Sequence, residues 1–434
     1  MAITRVGRRL FRGAAVPLVL GLILAAGCSS QPDRNSGPGV TSAPCPHAVH
    51  KDKGCIYLGV LSDLGGGPYA ILGNALQDGQ LAFWREVNKS GGIDGYEIDI
   101  STYARDTAYD AGKHTEEYSD IENHILALSM SLGTAQTLAV LPRMDAANMI
   151  TAAATLWSGW QYRDVDLNLV FDGSYSYCTE AMLALDWFAR NHYQPENIAI
   201  VAYRGNYGGD YANGVIKWAT ENGAKVTTRI DTGPNSEVGS QSRAIAEILT
   251  RPTDLVMLST GPAETAEIVA TLAAAGYTGR FLGSAPTWNG ALMQTAAARP
   301  LAELYNYTSP VDGWDGSSVG ARHARAAAAH EPNNWGYNLG WAVSYTMKDV
   351  IAAAASGQGL NRASLRHALE NLTVDSEGMA ATITYGGAGP NLANQFAVIN
   401  APDADMPLGS RTLVPEYRGS TLNRVKLSAP CAML

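Results

Sequence analysis

Cys55-Ile-Tyr-Leu-Gly-Val-Leu61 runs directly into Ser62-Asp-Leu-Gly-Gly-Gly-Pro-Tyr69, and a helical pattern follows, with apolar Leu76, Leu81, Phe83, Trp84 and Val87 before Gly91-Gly92. A short unbroken apolar run is the mark of a strand buried on both faces. A glycine-rich turn into a helix over 68–89, with a glycine pair as its C-cap, makes this the opening strand–helix unit of an α/β fold.

Outward from that unit the alternation repeats. Strand-like runs fall at Tyr96–Tyr103, Ile125–Met130, Asn148–Ala152 and Asn168–Phe171, with helices over 110–123 and 134–146. A second series begins after Gly173. It has helices over 178–192, 209–222, 240–250 and 262–275, and strands at Ile198–Tyr203, Lys225–Ile230, Leu255–Ser259 and Arg280–Gly283. Each unit has the length of a βαβ crossover, so two parallel sheets covered by helices are expected. The remainder starts no third series. A strand near 304–309, helices near 317–330, 335–356 and 361–371, and short runs at Thr382–Tyr385, Gln395–Ile399 and Thr412–Val414 suggest a chain that recrosses between two lobes.

The N-terminus carries an export pattern. Basic residues 5–12 precede an apolar run over 14–26, which is short for a membrane-spanning helix of roughly 20 residues. The run ends in Leu24-Ala-Ala-Gly-Cys28, which looks like the bacterial lipoprotein box. Residues 1–27 are therefore expected to be a lipoprotein signal peptide. Cys28 is expected to carry a diacylglycerol, whose two acyl chains suffice for stable anchoring. Residues 28–54, rich in Ser, Pro and Gly, read as a flexible tether. The product is expected to be extracytoplasmic, on the outer face of the cell membrane.

The formal net charge is −9 over 434 residues, and loss of the basic leader makes it more negative. No Lys/Arg cluster lies outside the leader, so nucleic acid is not an expected partner. With Cys28 lipidated, Cys45, Cys55, Cys178 and Cys431 remain, and three pairings are open to them. Cys45 with Cys55 closes a short loop and is favoured, leaving Cys178 with Cys431 to pin the C-terminal tail. A metal site at Cys45, His47, His50 and Cys55 is the rival reading, set aside for its irregular spacing.

Ligands of open parallel α/β sheets sit at the carboxyl ends of the strands. Three such loops stand out. Gly65-Gly-Gly67 exposes N–H groups beside a helix start and suits an anion, or is only a tight turn. Ser129-Met-Ser-Leu-Gly-Thr134 offers hydroxyls that can cap the helix or hold a carboxylate. Ala152-Ala-Ala-Thr155 ends another strand with a hydroxyl. Trp157, Trp160, Trp288, Trp314 and Trp335 lie in or beside loops, where indoles can stack on a ring or fill a core. No HExxH, Gly-x-Ser-x-Gly or Ser-x-x-Lys pattern occurs, and Asp63, Asp106 and Asp172 have no partner for acid/base work, so an enzyme is not expected. No metal or cofactor is expected either.

Over about residues 56–400 the chain resembles the type 1 periplasmic binding proteins, specifically the branched-chain amino-acid receptor branch. The markers are Leu64-Gly-Gly-Gly-Pro-Tyr69, Asp78-Gly-Gln-Leu-Ala82, Val87-Asn-Lys-Ser-Gly-Gly-Ile-Asp-Gly95, Asp106, Ala139-Val-Leu-Pro142, Ile150-Thr-Ala-Ala-Ala-Thr155, Asn206-Tyr-Gly-Gly209 and Gly261-Pro-Ala-Glu-Thr265. The resemblance implies two Rossmann-like lobes joined by a three-crossing hinge. One is expected to hold 55–173 and 309–375, the other 174–308 and 376–434. It implies a small-molecule ligand held at Ser131, Thr134, Ala153, Thr155 and Tyr207, and at Leu72, where the family has an aromatic residue. Tyr69 and Trp288 are further expected contacts from the loops, and the product is expected to be a monomer that delivers its ligand to the permease of an ABC importer. A ligand-sensing subunit for a signalling partner is the alternative. Leucine receptors place a Glu after the strand that ends here at Gly283, to neutralise the ligand's ammonium. This chain has Ala285 there, so an amide or an organic or aromatic acid is as well suited as an amino acid.

Overall fold

The structure, a computed structural model, describes residues 35, 37–387, 389–390, 392 and 395–433. The leader and Cys28 lie outside the described residues. Among those described, no helix is long and apolar enough to cross a membrane.

The first sheet is built around the opening strand. Its strands are β1 (Val40–Thr41), β2 (Gly54–Ser62), β3 (Tyr96–Asp99), β4 (Ala104–Asp106), β5 (Ala127–Ser131), β6 (Thr151–Ala153) and β7 (Val170–Phe171). All pair in parallel except β1, which lies antiparallel on the amino end of β2. The run expected as one strand, 96–103, is two. The Asp99 carboxylate accepts the N–H groups of Ser101 and Thr102 and turns the chain between β3 and β4.

The second sheet holds β8 (Asn197–Tyr203), β9 (Lys225–Thr232), β10 (Leu255–Ser259), β11 (Arg280–Gly283) and β12 (Tyr305–Ser309), all parallel. After a small hairpin of β13 (Thr373–Val374) and β14 (Ile383–Thr384), β15 (Ala397–Pro402) and β16 (Ser410–Tyr417) extend this sheet antiparallel beyond β12. Alternation along β8 explains its burial: Ile198, Ile200 and Ala202 face one core, and Ala199 and Val201 face the other.

The chain changes body three times. Phe171 belongs to the first core and Tyr175 to the second, Tyr307 to the second and Val311 to the first, Ala380 to the first and Ala397 to the second. The crossings are bonded together: Ser174 Oγ donates to Pro310 O at 2.8 Å, and Tyr385 OH donates to Asp172 O at 2.6 Å. The helix Gly336–Ser356 returns to pack on the helix Ala70–Lys89. Gly79 and Gly340 let the two backbones touch, since a Cβ on either would stand 2.0 Å from a carbonyl oxygen of the other helix.

Both disulfides form as expected, Cys45–Cys55 and Cys178–Cys431. The stretch expected as a tether is different from Gly37 onward. There β1 pairs with β2, and buried Glu97 accepts the backbone N–H groups of Val49 and His50 and contacts His50 Nδ1 at 2.9 Å. Composition alone misses this docking, because it rests chiefly on main-chain groups, the Glu97 carboxylate and one disulfide, with Val40 the apolar side chain that packs on the core.

Candidate functional site

The carboxyl ends of β2, β5 and β6 face those of β8 and β9 across a cavity of about 260 Å³. The first lobe contributes Tyr69, Leu72, Tyr109, Thr134, Gln136 and Thr155, and the second contributes Tyr177, Tyr203, Arg204, Asn206, Tyr207 and Glu237. Tyr69, Leu72, Thr134, Thr155 and Tyr207 thus meet at one place, as the sequence suggests.

Three expected contacts do not. Ser131 is fully buried below the floor, bonded to Thr137 Oγ1 at 2.7 Å and His114 Nε2 at 3.1 Å. Ala153 belongs to the first core, and its neighbour Ala154 lines the cavity instead. Strand alternation puts the two on opposite sides. Trp288 stacks on Tyr307, with ring centroids 5.1 Å apart, and its indole N–H points to Leu408 O, so it serves the second core.

The glycine loop also corrects a reading. Four of its amides are taken by the protein's own acids: Leu64 and Gly65 donate to Asp106 Oδ1, and Gly67 and Tyr69 donate to Asp63. These bonds and the Lys113 ammonium 3.1 Å away hold the Asp106 carboxyl down at about 2, against its burial. The four amide bonds fix the loop so that it places Tyr69 at the cavity.

Tyr109 comes from a segment with no sequence signal. Ala108 and Tyr109 both have positive φ, 49° and 60°, and Gln136 Nε2 donates to Tyr109 O at 2.6 Å. This strained turn lays Tyr109 against Tyr69, with ring centroids 4.7 Å apart. Opposite, Tyr177 and Tyr207 pair at the same distance. Tyr69 is close enough to Tyr177, Tyr203 and Tyr207 to be influenced by each. Burial raises all these phenols, Tyr109 to about 12, so every hydroxyl keeps its proton. Those of Tyr69 and Tyr109 make no hydrogen bond among the described residues.

The deepest polar pair is Thr134 and Thr155. Gly133, at φ 104°, opens the helix Thr134–Ala146 and swings Thr134 toward β6. The two hydroxyl oxygens lie 3.1 Å apart, and Trp160 Nε1 donates to Thr155 Oγ1 at 3.0 Å. An indole N–H only donates, so it always occupies a lone pair of Thr155. Two hydroxyl protons then share one mutual bond, and whichever way that bond runs, one proton is left for the cavity. The pair presents a donor, which suits a carboxylate or carbonyl oxygen.

Glu237 is the one acid among the residues lining this cavity. Glu264 accepts from Tyr203 OH and Asn235 N–H, and Glu237 is exposed at the rim with Arg204, which has no ion-pair partner among the described residues. The acid missing at Ala285 is supplied to the strand end by Glu180, on the helix Tyr177–Asn191. Glu180 accepts from Ala285 N–H at 2.7 Å and from Ser284, Thr308 and Tyr175, is wholly buried, and does not line the cavity. The Ser131–His114 contact is also sealed, and burial lowers His114 to about 4. A serine with no access to the cavity cannot attack anything bound there.

Residues 56–404 match the family described as periplasmic binding protein. Similar solved structures include a fatty acid ABC transporter substrate-binding protein from Thermomonospora curvata (22% identity, TM-score 0.79, 90% of this chain and 96% of the other). A branched-chain amino acid ABC transporter protein from Thermus thermophilus with bound valine has 14% identity and TM-score 0.71, over 85% and 98% of the two chains. A solute binding protein from R. palustris in complex with 4-hydroxybenzoate has 12% identity and TM-score 0.70, over 84% and 97%. At these identities the likeness concerns the fold. No curated protein matches significantly in sequence.

Proposed function

This chain belongs to the periplasmic binding protein family, and on that premise we propose that it captures a small organic acid between its lobes for an ABC importer. The observation that carries the reading is the cavity itself: strand-end tyrosines of both lobes enclose one hydroxyl pair that presents a donor, and the one acid among the lining residues, Glu237, is exposed at the rim and not buried beside a ligand's ammonium. A buried ammonium without a counter-charge costs several kcal/mol. Five tyrosines supply flat, partly apolar walls suited to an aromatic or acyl body. The relatives with bound 4-hydroxybenzoate and with fatty acid in their description support that class. The valine-bound relative supports the amino-acid alternative.

In this reading 37–173 with about 309–385 move as one body and 174–308 with about 395–433 as the other. The expected boundary at 375 falls inside the first body, because Met379, Ala380 and Tyr385 pack in its core. The closed form is selected because only there do both tyrosine pairs touch the ligand. The protein works as a monomer, held outside the cell by lipid on Cys28, and does no chemistry on its cargo.

Thermal shift across matched sets tests this: free aromatic and acyl acids, their methyl amides, and the corresponding α-amino acids. A ligand at about 100 times its dissociation constant adds roughly 2.7 kcal/mol of stability. The acids should raise the melting temperature most, and small-angle scattering should show compaction with them. Amino acids that bind while their deaminated analogues do not would end the organic-acid reading. Compaction absent with every tight ligand would end the hinge.

A further inference from the structure

A second cavity, of about 90 Å³, lies at the hinge and not in the cleft. Asp172 enters it from the first crossing and Gln395 from the third, while Gln161, Asp166 and Asn168 come from the segment that follows β6. Asp166 and Asp172 are each 6% exposed, and neither has an ion-pair partner among the described residues. Arg163 also borders the cavity, but its guanidinium is half exposed and is drawn outward to Glu370 at 2.6 Å.

The amides give an independent sign. Gln161 Nε2 donates to Asp172 Oδ2 at 2.9 Å, which leaves its Oε1 buried and unpartnered. Gln395, 8% exposed, has an unpartnered Oε1, and Asn168, 7% exposed, has an unpartnered Nδ2. Buried polar atoms are otherwise nearly always hydrogen-bonded. The cavity therefore combines two carboxylates and two amide oxygens with spare lone pairs, and lacks inward positive charge.

We propose that this hinge cavity binds a hard divalent cation of the calcium type, held by Asp166, Asp172, Gln161 Oε1 and Gln395 Oε1 with water completing the shell. Such ions take six to eight oxygen ligands, many of them neutral. Asn168 Nδ2 is placed to donate to a coordinated water. Among the described residues no three His, Cys, Asp or Glu side chains gather. Two carboxylates suit weak affinity, with a dissociation constant on the order of 10⁻⁴–10⁻³ M as in extracellular modules. The ion would tie the first crossing to the third.

Terbium(III) tests this in the purified full chain without any solute, so the result is independent of the cargo. Trp160 and Tyr385 border the cavity and should sensitise terbium emission. Millimolar calcium should displace it and raise the melting temperature. Asp172→Asn should weaken terbium binding at least tenfold. Gln395→Leu should weaken it severalfold from the opposite crossing and covers the case in which the first variant misfolds. Trp160→Phe should remove most of the emission while calcium still raises the melting temperature. Emission that calcium does not displace, or that survives both Asp172→Asn and Gln395→Leu unchanged, overturns the site.

Discussion

Trp160 Nε1 lies 3.0 Å from Thr155 Oγ1, and through that single contact an otherwise buried indole sets the polarity of the cavity floor. Trp160→Phe keeps an aromatic ring but removes the pyrrole portion with its N–H donor. Thr155 then regains a lone pair and can accept from solvent or from a ligand donor. One hydrogen bond is worth about 1 kcal/mol, so affinity for an acid should fall roughly fivefold, and the ring volume lost at this buried site should also lower the melting temperature. Titration calorimetry on acid and amide pairs reads this directly. An unchanged preference would show that the threonine pair is not the carboxylate contact.

Tyr69 and Tyr207 stand on different lobes. If each closes over the ligand, Tyr69→Ala and Tyr207→Ala should each weaken binding by about tenfold or more, since buried aromatic anchors dominate interface energies. Each should also reduce ligand-dependent compaction in small-angle scattering. Loss of affinity for only one of the pair would mean that the ligand rests on a single lobe.

The C-terminal tail is held by more than its disulfide. Cys431 N–H donates to Ser158 Oγ, Ala432 N–H to Asp210 Oδ1, Trp157 Nε1 to Ala432 O and Tyr162 OH to Leu427 O. Replacing Cys178 by Ala and Cys431 by Ser together should cost about 2–5 kcal/mol. It should expose 424–433 to proteolysis before global unfolding. A tail as protected as in the parent chain would show that the hydrogen bonds suffice.

Stability should depend on pH through Glu180 and Asp210, both fully buried and both pushed by that burial up to about 7. Their ordinary values are 4.5 and 3.8. An acid raised in the folded state contributes stability that is complete below its unfolded value and is lost as pH rises through the folded one. The melting temperature should therefore gain a downward trend between about pH 4 and 7 from these groups. His114, lowered to about 4 from 6.5, acts oppositely: its contribution is complete above 6.5 and is lost as pH falls through 4. Glu180→Gln should flatten the downward trend by on the order of 3 kcal/mol between pH 4.5 and 7. Unfolding scans of both chains at pH 5 and 7.5 measure it.

The α/β plan was legible because strands such as β2, β8 and β10 are buried on both faces and read as apolar runs. Tyr69, Thr134, Thr155 and Tyr207 were legible because strand-end loops have a fixed place in such sheets. Ser131 and Ala153 failed by one side-chain alternation, which a three- to five-residue strand does not reveal. Tyr109 and Tyr177 were missed for a different reason. Tyr109 depends on two consecutive positive-φ residues without glycine, and Tyr177 starts the helix just after a crossing, where no strand end announces it. Glu180 was invisible as the acid beside Ala285, because the two are brought together only by packing of that helix on β11 and β12.

The antiparallel seat of β1 settles one matter of mechanics. It lies against Cys55 and Ile56, at the end of β2 remote from Ser62 and the cleft, and Asn35 beside it accepts from Leu360 N–H. The proposed lipid leash would therefore join the first lobe at the end of β2 opposite the cleft. On the proposed reading, with lipid on Cys28 holding the chain, the cleft and the point of attachment stand at opposite ends of the first lobe's opening strand.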